Sequence, residues 1–380
     1  MANAKSLRDL LRIRFANRDL IEQVNGNLGS AVGFKYKAGA LTDEPAVIIY
    51  VEQKIHRRWL PTDQVIPDTL EGPDDLICRT DVIQAESPWQ EALPMAVLWS
   101  QSPVIEIASV PWGQLKDAPP LTSQNIEALE VLHGAADRIY AGSRLSGSTN
   151  YGARYHGTAG CFVKDRVTGQ LGVLTNYHVA DHYGNVLRFP NHDGLEVGKV
   201  TQLYEYIPDE RRFPNINQQN AYYRVDCAYL ELLPDMEDKI DPRLFGIGRI
   251  GAPLPLDLDT MGPVGRRVVS VGSRRGIQKG SIAAFSFEYS DGEYGSYYTD
   301  YLLLGDEGMS ESGISVLPTA LSDHGDSGKL FVTDDHEHNA VALLWGGALQ
   351  QRRPGRLFEK WSWAIDINRV LDLLQVDIHS

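Results

Sequence analysis

Three short segments, far apart in the chain, place a charged or nucleophilic residue in otherwise apolar, strand-like sequence. They are Leu174-Thr175-Asn176-Tyr177-His178-Val179-Ala180, Val225-Asp226-Cys227-Ala228-Tyr229-Leu230 and Gly325-Asp326-Ser327-Gly328. At average residue usage, a stray Gly-Asp-Ser-Gly should occur in a chain of this length on the order of once in a hundred. Asp226 heads an alternating run with Ala228, Leu230 and Leu232 on its own face. A lone charge on an apolar face needs a partner, because an uncompensated buried charge is costly. The chain must therefore fold so that these distant segments meet.

The texture from Gly157 onward narrows the choice of fold. Short apolar runs, among them 160–163, 171–174, 226–233, 268–271, 280–287, 298–304, 329–332 and 340–345, are punctuated by Gly, Pro and Asn. Many closely spaced strands with turn residues between them predict an all-β barrel or sandwich. Asp366 is placed to cap a closing helix, with Ile367, Val370, Leu371 and Leu374 on one face. The first residues read differently. Apolar positions between Ser6 and Val24 predict an amphipathic helix ending near Asn25-Gly26, followed by strands at 31–37 and 46–51. Residues 1–95 thus read as a small α+β module. Residues 96–150 read as a linker or helical connection, with Pro119-Pro120 and the 142–148 stretch as linkers and a helix from Ile126 to Ile139.

Composition excludes some functions. The net charge of −14 disfavours a nucleic-acid binder, which needs a basic surface to displace counterions. Cys78, Cys161 and Cys227 are too few and too oddly numbered for a disulfide framework. No window is long and apolar enough to span a bilayer, and the opening residues lack the apolar core of a secretory signal. The expectation is a soluble protein of a reducing cytoplasm, without nucleic-acid or membrane partners.

The residue types in the three segments suit one chemistry. A serine hydroxyl is a poor nucleophile at neutral pH and needs a base to take its proton. Imidazole accepts that proton and passes it on, while a buried carboxylate fixes the tautomer and stabilises the imidazolium. Ser327, His178 and Asp226 are the candidates for these roles, with Asp181 and Asp193 the competing carboxylates. The glycines beside Ser327 allow the backbone to bend so that the Gly325 and Ser327 N–H groups converge, as an oxyanion hole requires.

Taken together, these segments resemble the trypsin-like, chymotrypsin-fold serine peptidases. Gly157 to Val163 looks like the strand before the histidine, and Val341 to Gly347 like the strand after the serine. Residues 32–36 and 44–51 are similar to the module ahead of bacterial and plant narrow-leaf-type trypsin-like proteins. The resemblance implies a mainly β fold: a chymotrypsin-like double β-barrel over 151–380, divided at about 240, with a C-terminal helix and a small N-terminal α+β module. It implies a serine endopeptidase without cofactor or metal, acting on a polypeptide through an acyl-enzyme. Trp345, Gly346 and Gly347 would bind the substrate. Leu321, six residues before the nucleophile, would replace a specificity aspartate and favour an apolar side chain. In secreted trypsins a freed N-terminus pairs with the aspartate before the serine, whereas here the barrel begins inside the chain. Asp326 therefore needs another partner, or an activating protein or self-association must order its loop. The alternative is a latent protease-fold scaffold or regulatory binding protein.

Other clusters have simpler readings. His178 and His182 could share a helical face, but Val179 stands where a metalloprotease glutamate would be. Residues Asp334 to His338 read as a solvated hairpin loop. Arg266, Arg267, Arg274, Arg275 and Lys279 read as a strand surface, and Cys161 and Cys227 as buried packing residues.

Overall fold

The computed structural model describes residues 2–37, 40–85, 123–135, 138–149, 154–208, 221–290, 296–305, 307–309, 315–318, 321–322, 325–353 and 356–380. At the N-terminus, α1 (Leu7–Ala16) is capped by Ser6, whose hydroxyl accepts the Asp9 N–H, and buries Leu7, Leu10, Leu11 and Ile13. The helix predicted to run on to Val24 breaks at Asn17 and resumes as α2 (Arg18–Glu22). The Asn17 amide donates to the carbonyls of Ile13 and Glu71, competing with helix continuation. Strands β1 (Asn27–Lys37), β2 (Ala40–Val51) and β3 (Leu76–Gln84) follow, with β2 between β1 and β3. Helix α3 (Ser123–Glu130) is shorter than its predicted span. The chain then makes a wide turn over Val131–Ala135, and Ile139 begins a strand.

The first barrel comprises β4 (Arg144–Ser148), β5 (Arg154–Thr158), β6 (Cys161–Asp165), β7 (Leu171–Thr175), β8 (Val186–Phe189), β9 (Leu195–Pro208) and β10 (Ala221–Leu232). Strands β5 and β6 act as one bent strand, since β4 pairs with β5 and β7 with β6. The order then runs β7, β10, β9, β8 and returns to β4 through the Arg188–Ser146 pair, so the sheet closes with six strands. The barrel opens at Arg144, inside the stretch read as linker. Its interior packs Leu145, Phe162, Val173, Leu187, Val197 and Leu230.

The second barrel repeats that order. It uses β11 (Arg267–Gly272), β12 (Gly276–Ser290), β13 (Ser296–Gly305), β14 (Leu330–Thr333), β15 (Asn339–Arg353) and β16 (Arg356–Asp366). Pairing runs β11, β12, β13, β16, β15, β14 and closes from β14 to β11. The two barrels share a core containing Cys161, Leu174 and Cys227 of the first and Val269, Val271, Trp345 and Trp363 of the second. Closure removes the exposed edges that open sheets must protect.

The N-terminal module joins the second barrel through β1, which pairs with β12. Arg14, buried on α1, donates to the Ser286 carbonyl and hydroxyl and lies 3.7 Å from the buried Glu288 carboxylate. At the other end, Asp366 accepts the Asn368 and Arg369 N–H groups and caps α5 (Ile367–Leu374), as its sequence predicts. Among the described residues no helix is long and apolar enough to cross a membrane.

Candidate active site

Strand β7 ends at Thr175, and a single helical turn, α4 (Tyr177–Ala180), lifts His178 to the surface, where its side chain is 37% exposed. Below it, Asp226 is completely buried. Simple alternation would put Asp226 among Ala228, Leu230 and Leu232. Instead, Tyr204 and Tyr206 of β9 pair with Cys227 and Arg224, leaving Val225 and Asp226 opposite Glu205 alone. This bulge, with Asp226 at φ 28°, redirects the carboxylate out of the strand's regular face.

The redirected carboxylate meets His178 twice. Its Oδ2 lies 2.8 Å from Nδ1 of the ring, and its Oδ1 accepts the His178 backbone N–H at 3.2 Å. The buried Asn176 side chain donates to the Asp226 carbonyl at 2.6 Å, tying the helical turn to the strand. Burial pushes the Asp226 carboxyl up, but the His178 charge and hydrogen bond, with Arg224 3.7 Å away, outweigh it and hold the carboxyl below its ordinary range. The Arg224 guanidinium also lies 4.1 Å from the centre of the Trp345 ring. Asp181, one of the competing carboxylates, pairs with His182 instead.

Ser327 comes from the second barrel, just before β14. Its carbonyl accepts the Thr158 N–H at 2.8 Å, while Gly328 N–H donates to the Leu344 carbonyl at 3.0 Å. Gly328 has φ +94°, and a Cβ there would lie 2.4 Å from the Thr175 hydroxyl, so only glycine fits. These contacts bring Ser327 to the end of β7, three residues before His178. Among the described residues no hydrogen bond joins Ser327 to His178, and the Gly325 and Ser327 N–H groups donate to no other group. Gly325 O is held at 2.8 Å by each of two hydroxyls, those of Thr158 and Ser273.

The other expected positions divide. Trp345 is buried, its indole N–H donating to Thr299 at 2.9 Å, while Gly346 and Gly347 are half-buried on β15 beside the serine turn. The Leu321 side chain is fully buried, packed in the cluster that holds Ile282, Leu303 and Phe331 and lying over Gly280. Next to it, Ser322 and Ser362 share a buried hydrogen bond of 2.7 Å. His324 lies outside the described residues. Asp334 to His338 form a loop between β14 and β15, where Asp335 accepts the Glu337 and His338 N–H groups. All three cysteines are free and buried, and burial pushes the Cys161 thiol up to about 12.

Sequence reasoning passed over Lys329, Arg224, Asn176, Thr158 and Ser273. Lys329 carried a signal, since it heads the apolar run Leu330-Phe331-Val332 directly after the serine turn. The hydroxyl and amide residues carried none, because their partners lie far away in sequence.

Two closed barrels of identical strand order, with a His-Asp pair on one and a Gly-Asp-Ser-Gly turn on the other, define a chymotrypsin-like fold. The NARROW LEAF 1 N-terminal domain matches residues 2–83, and the Nal1 C-terminal domain matches residues 122–380. The chain belongs to the NARROW LEAF 1 family. It is similar to Protein NARROW LEAF 1 of Oryza sativa subsp. japonica, with 29% identity over 99% of this chain and 61% of that protein. It therefore spans about three fifths of that relative's length. Similar solved structures include Thermobifida fusca Protease A, at 16% identity and TM-score 0.40 over 64% of this chain and 99% of that one. Another is a glutamic acid specific serine protease, at 15% identity and TM-score 0.41 over 63% of this chain and all of that one.

Proposed function

We propose that the protein is a serine hydrolase that cleaves peptide bonds through an acyl-enzyme. The observation that carries this reading is the His178 ring hydrogen-bonded at Nδ1 to a fully buried Asp226, with Ser327 drawn to the end of the same strand. In the reaction, the Ser327 oxygen forms a bond to the substrate carbonyl carbon while Nε2 of His178 takes the hydroxyl proton. The N–H groups of Gly325 and Ser327, which donate to no other described residue, receive the oxyanion. The carbon–nitrogen bond then breaks as His178 gives its proton to the leaving amine, and water releases the acyl group by the same steps. No cofactor enters these steps. Trp345, Gly346 and Gly347 form the wall along which the polypeptide would lie.

A fluorophosphonate probe tests this reading. The wild-type protein should be labelled at Ser327, and Ser327→Ala should lose both labelling and peptide hydrolysis. A wild-type protein that stays unlabelled, with and without candidate partners, would refute it. The second reading is a protease-fold scaffold with a latent site. It is favoured by the missing hydrogen bond between Ser327 and His178, although such bonds often tighten only when substrate binds.

A further inference from the structure

The carboxylate directly ahead of the nucleophile has its partner inside the same turn. Asp326 and Lys329 are both fully buried, with the ammonium 3.6 Å from Oδ2. The other carboxylate oxygen, Oδ1, accepts the Arg274 N–H at 2.8 Å and the Arg275 N–H at 3.1 Å. The Lys329 ammonium also donates to the Leu321 carbonyl and lies 5.4 Å from the centre of the Phe331 ring. Gly272 closes the cage. A Cβ at that position would stand 2.5 Å from Asp326 Oδ1 and 2.8 Å from Lys329 Cδ.

We propose that Lys329 is a built-in latch: its ammonium neutralises Asp326 and fixes the Gly325-to-Ser327 peptides with their N–H groups free for the substrate carbonyl. The site is then set when the chain folds, without a freed N-terminus or an activating partner. This inference rests on the hydrolase reading and adds how that site is regulated. Lys329 is a positioning residue that acts through Asp326. Without the ammonium, the buried Asp326 carboxylate would lose its charge partner inside the turn, which the Arg274 and Arg275 N–H groups only partly replace. The carboxylate would have to leave its cage, and the Gly325 peptide would turn with it. Control of activity then falls on access to the cleft rather than on ordering of the loop.

The test uses the full chain, Lys329→Met and the double variant Asp326→Asn/Lys329→Met, each followed by melting temperature and by the rate of fluorophosphonate labelling. The wild type should label with no partner added. Lys329→Met should label at least about 100-fold more slowly, the scale of losing one oxyanion donor. The double variant keeps an amide oxygen for the Arg274 and Arg275 N–H groups and carries no unpaired charge, so it should recover both stability and labelling. The latch is overturned if Lys329→Met labels at the wild-type rate, if the double variant regains stability without labelling, or if the wild type labels only after a partner is added. Should the wild type not label at all, the hydrolase reading fails, and hydrogen exchange decides the latch separately. Peptides over 272–278 and 325–330 protected in the wild type and exposed in Lys329→Met uphold it. Peptides unprotected in the wild type, or unchanged by the substitution, overturn it.

Discussion

In the first barrel, the residues assigned to the chemistry also hold one another: His178 binds Asp226, and Asn176 ties the turn of one to the strand of the other. In the second barrel, Ser327 is held through its neighbours, by the buried Asp326–Lys329 pair on one side and by the fit of Gly328 against Thr175 on the other. Removing the His178 ring should therefore remove activity and spare the fold. Substitutions around the serine turn should cost both.

The largest expected effect is His178→Ala, which should lower kcat by about a millionfold if the triad acts as a unit. Because His178 is half-exposed, the melting temperature should stay close to wild type. Asp226→Asn should lower kcat by about 10,000-fold by disturbing the imidazole tautomer. A loss of stability in His178→Ala as large as that in the serine-turn variants would break the comparison.

Arg14→Ala addresses the scaffold alone. It removes the contacts to Ser286 and one of two cations beside the buried Glu288, leaving Arg18 at 3.1 Å, and should cost about 2 kcal/mol in denaturant unfolding, the scale of losing a buried hydrogen-bonded side chain. Labelling per folded molecule should not change. Gly328→Ala should cost about 2 kcal/mol through its positive φ and the close Thr175 hydroxyl, and should slow labelling as well.

Two acids sharpen the contrast through pH. Burial, together with the nearby Asp300 carboxylate, raises the Asp366 carboxyl to about 6. Between about pH 4 and 6 the folded chain holds this proton and the unfolded chain has lost it. Stability from Asp366 should thus fall as pH rises through that window, by on the order of 3 kcal/mol. Asp366→Asn, which can still cap α5, should flatten the dependence measured by thermal melts between pH 7 and 4. Asp226 acts in the opposite sense. Its carboxyl is held low, so its contribution is present above about pH 4 and is lost as pH falls further.

The comparison also explains what the sequence could reveal. His178, Asp226 and the serine turn were legible because each puts a reactive group into an apolar run, and the Asp366 cap and closing helix follow from local periodicity. The bulge at Asp226 was not legible, because it arises from register against β9 rather than from β10 itself. The spacing of Leu321 from Ser327 carries no information on its packing against Gly280, which comes from a strand about forty residues earlier. The barrel's start at Arg144 was hidden by glycine and serine, which read as linker but pair here as a strand. The partner of Asp326 is not a chain terminus but a cation three residues later, Lys329.

The most direct measurement is mass-spectrometric mapping of the fluorophosphonate adduct on the wild-type chain and on His178→Ala. The account predicts an adduct on Ser327 in the first and almost none in the second. An adduct elsewhere, equal labelling of Ser327 in both, or no adduct on the wild type would contradict it.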